Sequence, residues 1–187
     1  MSVHPVTQPG GPQRPDPTDL LIAIEEASQE PIQPEYVEGL ILVPPQPDHE
    51  LKHNAAAFEL SSRLRSAGFA LAGLGNGYRV GLGDGRTVAL LIPDFYVLRR
   101  EPTDLDEAYR AARKGWYPID MLALAGEVTS GNHETDTGPK LRAYATAGVP
   151  CAFSCTARRA VPTSTRTPCP FRTHPPTATT GPSPPSN

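Results

Sequence analysis

The stretch that decides the fold reads Ile119-Asp-Met-Leu-Ala-Leu-Ala-Gly-Glu-Val-Thr-Ser130 and, after a polar turn, Asp136-Thr-Gly-Pro-Lys-Leu-Arg-Ala-Tyr-Ala-Thr-Ala-Gly-Val-Pro150. Apart from Asp120, Ile119 to Val128 is apolar up to Glu127, so it reads as a strand covered on both faces. Asp136 can cap a following helix, Pro139 falls in a first turn that tolerates it, and Gly148 supplies the stop. Lys140 rides on that helix. A second apolar run, Thr87 to Pro93, ends on Asp94. Two carboxylates at the ends of buried strands, with a lysine one helical step away, suit a divalent cation and a phosphate. Strand ends hold carboxylates rigidly, and the loop side stays open to substrate. A nearby ammonium can stabilise developing charge on phosphorus.

Working outward, Asp48 caps a long helix to about Ser66, whose apolar stripe is read as Leu51, Ala55, Phe58, Leu60 and Leu64, with Gly68 closing it. Phe69 to Leu98 reads as a three-stranded meander turned at Asn76-Gly77 and Asp84-Gly85. The glycines there are assigned to turns, not to a phosphate-binding loop, because no helix follows them. Glu35 to Val43 reads as a strand with Gly39 at a bend. A short helix precedes it, capped by Thr18 or Asp19, and another starts at Thr103 or Asp104. Residues 1–17 are Pro-, Gly- and Gln-rich and read as a disordered lead-in. Past Pro150 a second buried strand is expected, but Cys151 to Ser154 looks like a weak stub, and residues 156–187 are a Pro/Thr/Ser-rich disordered tail. So abrupt a change is what a reading-frame shift in a GC-rich gene would produce, and translating the other frames past codon 150 tests it. The expectation is one α/β (α+β) domain over residues 18–155, of about 130 residues, enough for a real core.

Of the 187 residues, 17 are Lys or Arg and 20 are Asp or Glu, a formal charge of −3 that excludes a global basic footprint for nucleic acid. Nucleic-acid contact would have to come from local groups such as Arg63, Arg65, Arg79, Arg99, Arg100, Arg110, Arg113 and Lys114. The three cysteines, Cys151, Cys155 and Cys169, fit no zinc spacing and read as free thiols of a reducing compartment. No apolar run approaches a membrane span, and the start lacks a signal-peptide pattern, so a soluble, cytoplasmic protein is expected. No Gly-x-Ser-x-Gly or His-Glu-x-x-His pattern supports a small-molecule hydrolase.

Taken in order, Glu35-Tyr-Val-Glu-Gly-Leu-Ile41, Pro44 with His49, Ile92-Pro-Asp94, Glu127-Val-Thr-Ser130, and Asp136 through Lys140 and Tyr144 to Gly148-Val-Pro150 resemble the Uma-two-type putative restriction endonucleases, a branch of the PD-(D/E)XK nuclease superfamily. The resemblance implies a restriction-endonuclease-like mixed β-sheet flanked by helices. It also implies a site using Mg²⁺ or Mn²⁺ and hydrolysis of DNA phosphodiester bonds, with a homodimer left open. It carries metal ligation onto Asp94 and Glu127. The position two after Glu127, lysine in many relatives, is Thr129, so the lysine role passes to Lys140. Glu35 and His49 match positions read as a supporting carboxylate and a phosphate or water contact. Relatives continue after Gly-Val-Pro with a hydrophobic strand, and losing it would open one edge of the Glu127 strand. The alternative function is therefore a catalytically impaired nuclease remnant acting as an interaction module.

Overall fold

The computed structural model of the protein describes residues 15–43, 50–129 and 134–156. The chain opens on α1 (Pro17–Ala27), with proline at the first position, where its missing N–H costs nothing. The cap is Asp16, whose carboxylate accepts from the Thr18 N–H at 2.8 Å, two or three residues before the expected Thr18 or Asp19. The expected strand from Glu35 to Val43 is instead a hairpin of β1 (Glu35–Val37) and β2 (Leu40–Leu42). Glu38 and Gly39 both take left-handed backbone, φ 51° and 82°, and that pair makes the two-residue turn.

Helix α2 (Glu50–Ser66) follows, then β3 (Ala72–Gly73), β4 (Tyr78–Gly81), β5 (Thr87–Leu91) and β6 (Phe95–Leu98). The expected meander holds only for β4 and β5, which pair antiparallel around Asp84-Gly85. Pro93 interrupts the run from Thr87 to Leu98: with no N–H it cannot continue a ladder, and the chain passes there from one sheet to another. β3 pairs with β6, not β4, so Asn76-Gly77 is not a hairpin turn. Gly77 serves a close approach instead, since a Cβ on it would lie 2.6 Å from the Trp116 ring.

Helix α3 (Asp104–Ala112) starts on a capping box in which Thr103 and Asp106 exchange side chain-to-backbone hydrogen bonds. The short β7 (Tyr117–Pro118) and a 3₁₀ turn (Ile119–Met121) lead into β8 (Leu122–Thr129). Then come α4 (Glu134–Thr146) and β9 (Cys151–Thr156). Because α4 begins at Glu134, Pro139 lies inside the helix, past the first turn. The expected mixed β-sheet flanked by helices is present, and among the described residues its strands form two sheets, ordered β2-β1-β5-β4-β7 and β3-β6-β8-β9, with β4–β7 and β8–β9 parallel and the other pairs antiparallel. The stub reading of Cys151 to Ser154 is corrected. β9 matches β8 from Leu124↔Cys151 to Thr129↔Thr156, so the edge of the Glu127 strand is covered. Its small side chains need little space, and Val149 and Cys151 are buried as they enter it. Of the cysteines expected to be free, Cys155 is free and buried, while Cys151 is disulfide-bonded. No helix among the described residues is long and apolar enough to cross a membrane.

β8 is buried on both faces because a helix packs on each. Ala125 faces a cluster with Tyr144 of α4, Tyr78, Leu91 and Met121; Val128 faces Phe95, Cys155 and Ala57 of α2. Each of the large side chains buried there contributes about 1.5–3 kcal/mol. The α2 stripe expected from the sequence is partly the wrong face. Leu51, Ala55 and Phe58 are exposed, and the buried side is Ala56, Ala57, Leu60, Ser61 and Leu64. Small residues at Ala56 and Ala57 let the helix approach the sheet closely, and that contact outweighs the size of Leu51 and Phe58. Gly126 is similarly required, since a Cβ there would lie 2.1 Å from Cζ of the fully buried Phe95. Gly126→Ala is expected to cost about 1–3 kcal/mol, seen as a lower urea midpoint at unchanged slope.

Candidate active site

Asp94 sits where the chain leaves β5 for β6. Its Oδ2 accepts from the Val128 N–H at 2.6 Å, and its Oδ1 lies 2.8 Å from Nε2 of His53 on α2. Glu127, two residues before Thr129 at the end of β8, is 3% exposed. Its Oε1 accepts from the Tyr144 hydroxyl at 2.8 Å and its Oε2 from Lys140 Nζ at 2.6 Å. Lys140 and Tyr144 are four apart on α4, so they lie on one face of the helix and reach the same carboxylate. Glu35, the first residue of β1, completes the cluster: Oε2 is 2.9 Å from Lys140 Nζ, and Oε1 accepts from the Ile92 N–H at 2.5 Å.

Lys140 therefore spends its three N–H donors on Glu127, Glu35 and the Ile92 carbonyl at 3.1 Å. Glu35 takes the N–H of Ile92 and Lys140 its C=O, so the Ile92-Pro93-Asp94 segment is held on both sides and the direction of Asp94 is fixed. A bidentate pair from Arg142 to Glu38, both contacts 2.8 Å, ties α4 to the β1–β2 turn and brings Glu35 and Lys140 together.

Four of the five residues singled out in the sequence, Glu35, Asp94, Glu127 and Lys140, thus lie in one cluster. His49 lies outside the described residues. His53 and Tyr144 were not assigned a role from the sequence. His53 was legible only as the residue one turn before Ala57 on the buried face of α2, the face misjudged above. Tyr144 stood in the Lys-x-x-x-Tyr spacing, but a buried aromatic is the ordinary occupant of such a position. Thr129 donates to the Cys155 carbonyl at 3.3 Å and ties β8 to β9, leaving Lys140 as the cation beside Glu127.

The electrostatics follow from burying more acid than base. Burial pushes the Glu127 carboxyl up to about 8; Lys140 opposes this, and the Asp94 and Glu35 carboxylates add to it. Glu35 is raised by burial, against the pull of Lys140. Burial alone would lower Lys140, but the carboxylates of Glu127, Glu35 and Asp94 together outweigh it and hold the ammonium above its ordinary value. Burial, then Glu127 and Glu35, raises the Tyr144 phenol, which stays a donor. The cluster thus shares a proton whose titration belongs to the group. Carboxyls raised in the folded state stabilise fully below their unfolded value near 4.5, and that contribution is lost as pH rises through about 8. The lowered carboxylates, Asp16, Glu38, Asp84 and Asp106, act below this window. In a chelator, the urea midpoint is therefore expected to fall from pH 5 to about pH 8 and then level off; a flat or rising midpoint between pH 5 and 8 would contradict this balance.

Carboxylate oxygens are the donors a hard divalent cation takes; Asp94 Oδ2 is held on the N–H of Val128, the residue after Glu127, and the two carboxylates feel each other's charge. Among the described residues no three His, Cys, Asp or Glu side chains converge as a metal group. Mg²⁺ needs no such cage: it commonly takes one or two carboxylates and fills the rest of its shell with water and substrate phosphate.

Residues 19–153 match the sequence profile of the family described as "Uma2: Putative restriction endonuclease". Among solved structures, the chain is similar to a crystallised protein from Anabaena variabilis ATCC 29413, described as "a putative nuclease belonging to DUF820". The identity is 18%, 73% of each chain is covered, and the TM-score is 0.45. No curated protein matches the sequence.

Proposed function

Because the chain belongs to the Uma2 family of putative restriction endonucleases, we propose that it is a divalent-metal-dependent endonuclease that hydrolyses DNA phosphodiester bonds at the Glu35–Asp94–Glu127–Lys140 cluster. The observation that carries this reading is the single ammonium of Lys140 buried among carboxylates, 2.6 Å from Glu127 and 2.9 Å from Glu35. Such a cluster is costly as structure alone and is the arrangement phosphoryl chemistry needs.

Asp94 and Glu127 are the residues that would hold Mg²⁺ or Mn²⁺, which when bound supplies a Lewis acid and lowers the pKa of an attacking water. The chain's own groups do the rest. Tyr144 and Lys140 fix both oxygens of Glu127 in one rotamer. Glu35 and Lys140 hold the Ile92 peptide and so aim Asp94. The Val128 N–H and His53 occupy Asp94 from the protein side. Lys140 offsets the negative charge of the cluster. To donate to a phosphate oxygen as charge develops on it, the ammonium exchanges its hydrogen bond to Ile92 or Glu35. Water's oxygen forms the new P–O bond and gives up a proton to solvent, the P–O bond to the sugar breaks, and the departing alkoxide takes a proton from solvent.

Metal binding can be read without turnover. Mg²⁺ or Mn²⁺ should raise the melting temperature of the wild type, the added stability growing with the logarithm of concentration and reaching about 2.7 kcal/mol at one hundred times Kd. Asp94→Asn should lose that rise while remaining folded. An equal rise in the variant, or none in the wild type, would count against the metal assignment.

A further inference from the structure

A cavity of about 430 Å³ opens beside the β4–β5 hairpin, lined by Arg79, Tyr109, Arg113, Asp120 and hairpin glycines that include Gly81 and Gly85. It lies at the opposite end of β5 from Asp94, roughly 20 Å away at about 3.3 Å per extended residue. We propose that this cavity binds the phosphate group of a larger phosphorylated ligand, with Arg79 at its floor and Arg113 at its rim. The site is distinct from the carboxylate cluster, and the inference does not depend on that cluster being catalytic.

Arg79 is 4% exposed, yet among the described residues every acceptor it touches is neutral. Nε donates to Thr87 Oγ1 at 2.9 Å, Nη1 to the Tyr109 hydroxyl at 2.9 Å, and Nη2 to the Gly85 carbonyl at 2.5 Å. A guanidinium carries five N–H donors, so two remain, one on each terminal nitrogen. That pair matches the bidentate geometry of a phosphate. No described carboxylate pairs with Arg79 directly. Asp16 is reached only through Thr87 Oγ1, which lies 3.2 Å from Asp16 Oδ2. A buried charge surrounded by neutral acceptors is expensive, and an oxyanion on the spare donors would offset the cost.

The cavity reaches Arg79, which is one of its lining residues. A Cβ at position 81 would lie 2.3 Å from Arg79 Nη1, so Gly81 gives the guanidinium its place. Arg113 adds a second cation: its guanidinium sits 5.8 Å from the ring centroid of Tyr109, the same residue that orients Arg79. The cavity exceeds the size of a lone phosphate, and Asp120 on its lining would repel a bare anion while accepting from a hydroxyl or amino group. Both features favour a phosphate carried on a sugar or similar polar body. A nucleotide and a nucleic-acid strand share that chemistry.

The test uses the full chain in EDTA, so that turnover plays no part. Thymidine 5′-monophosphate is titrated calorimetrically, and a fluorescein-labelled DNA duplex is followed by anisotropy. At least one probe is expected to bind saturably. Arg79→Lys, which keeps the charge but loses the fork, should weaken that binding about tenfold, and Arg113→Ala about threefold. Arg113 is exposed, so its variant folds and decides the matter even if Arg79→Lys does not. Duplex binding competed by the monophosphate identifies a strand phosphate as the ligand; monophosphate binding that the duplex does not compete identifies a free phosphorylated molecule. Absence of saturable binding by both probes, or affinities unchanged in both variants, would overturn the proposal.

Discussion

Lys140→Met is expected to destabilise the protein by about 3–5 kcal/mol near pH 8, the cost of removing one partner from a buried ion pair, and by much less near pH 5. The ammonium is 2.6 Å from Glu127 and 2.9 Å from Glu35, and Glu127 is already pushed up to about 8 with the lysine in place. Without it, both carboxyls must take up a proton to stay buried. At pH 5 protonation is nearly free, because the unfolded chain also binds protons there; at pH 8 it is not. Urea melts of wild type and variant at the two pH values measure the difference. An equal loss at both would mean that packing of the lysine stem, not its charge, holds the cluster. Adding Glu127→Gln to Lys140→Met should restore part of the loss at pH 8, because the amide needs no proton.

The largest expected effect on activity is at Glu127. Glu127→Gln is nearly isosteric, keeps one acceptor oxygen where the carboxylate offers one each to the Tyr144 hydroxyl and Lys140, and removes one buried negative charge. DNA cleavage should fall by roughly 10³-fold or more. Stability above pH 8 should stay level or rise, since the ionised carboxylate is what the fold tolerates least there. A residue whose replacement stabilises the protein and abolishes its activity is kept for function. Tyr144→Phe, which frees only one oxygen of Glu127, should cost about 10–100-fold in metal affinity or rate.

The site was more legible than the frame around it. Asp94 and Glu127 stood out because each closes an apolar run, and a carboxylate in that setting is expensive unless used. Lys140 stood out by its place on the following helix. Nothing local marked His53, because its role depends on which face of α2 meets the sheet. That face was chosen by the small Ala56 and Ala57, against the stronger apolar signal of Leu51 and Phe58. Tyr144 looked like ordinary core until Glu127 was found beneath its hydroxyl.

In the frame, the double-sided burial of β8, the start of α3 at Thr103 or Asp104 and the Asp84-Gly85 hairpin follow from local rules and were readable. The division into two sheets was not. A dipeptide such as Asn76-Gly77 fits a hairpin, but its glycine is used here to admit the Trp116 ring, and strand pairing is decided by contacts twenty or more residues away. β9 was underrated for a related reason. Cys151 to Thr156 has little apolar bulk of its own, and it forms because β8 offers a complete parallel edge to pair with.

The central claim is that the carboxylate pair at Asp94 and Glu127 drives metal-dependent DNA hydrolysis, and nicking of supercoiled plasmid tests it most directly. Wild type, Asp94→Asn and Glu127→Gln are compared in Mg²⁺, in Mn²⁺ and in EDTA, with circular dichroism confirming that all three are folded. The account predicts nicking by wild type in at least one of the two metals, none in EDTA, and none by either variant. Wild type that fails to nick in both metals, or variants that nick as fast as wild type, would contradict it.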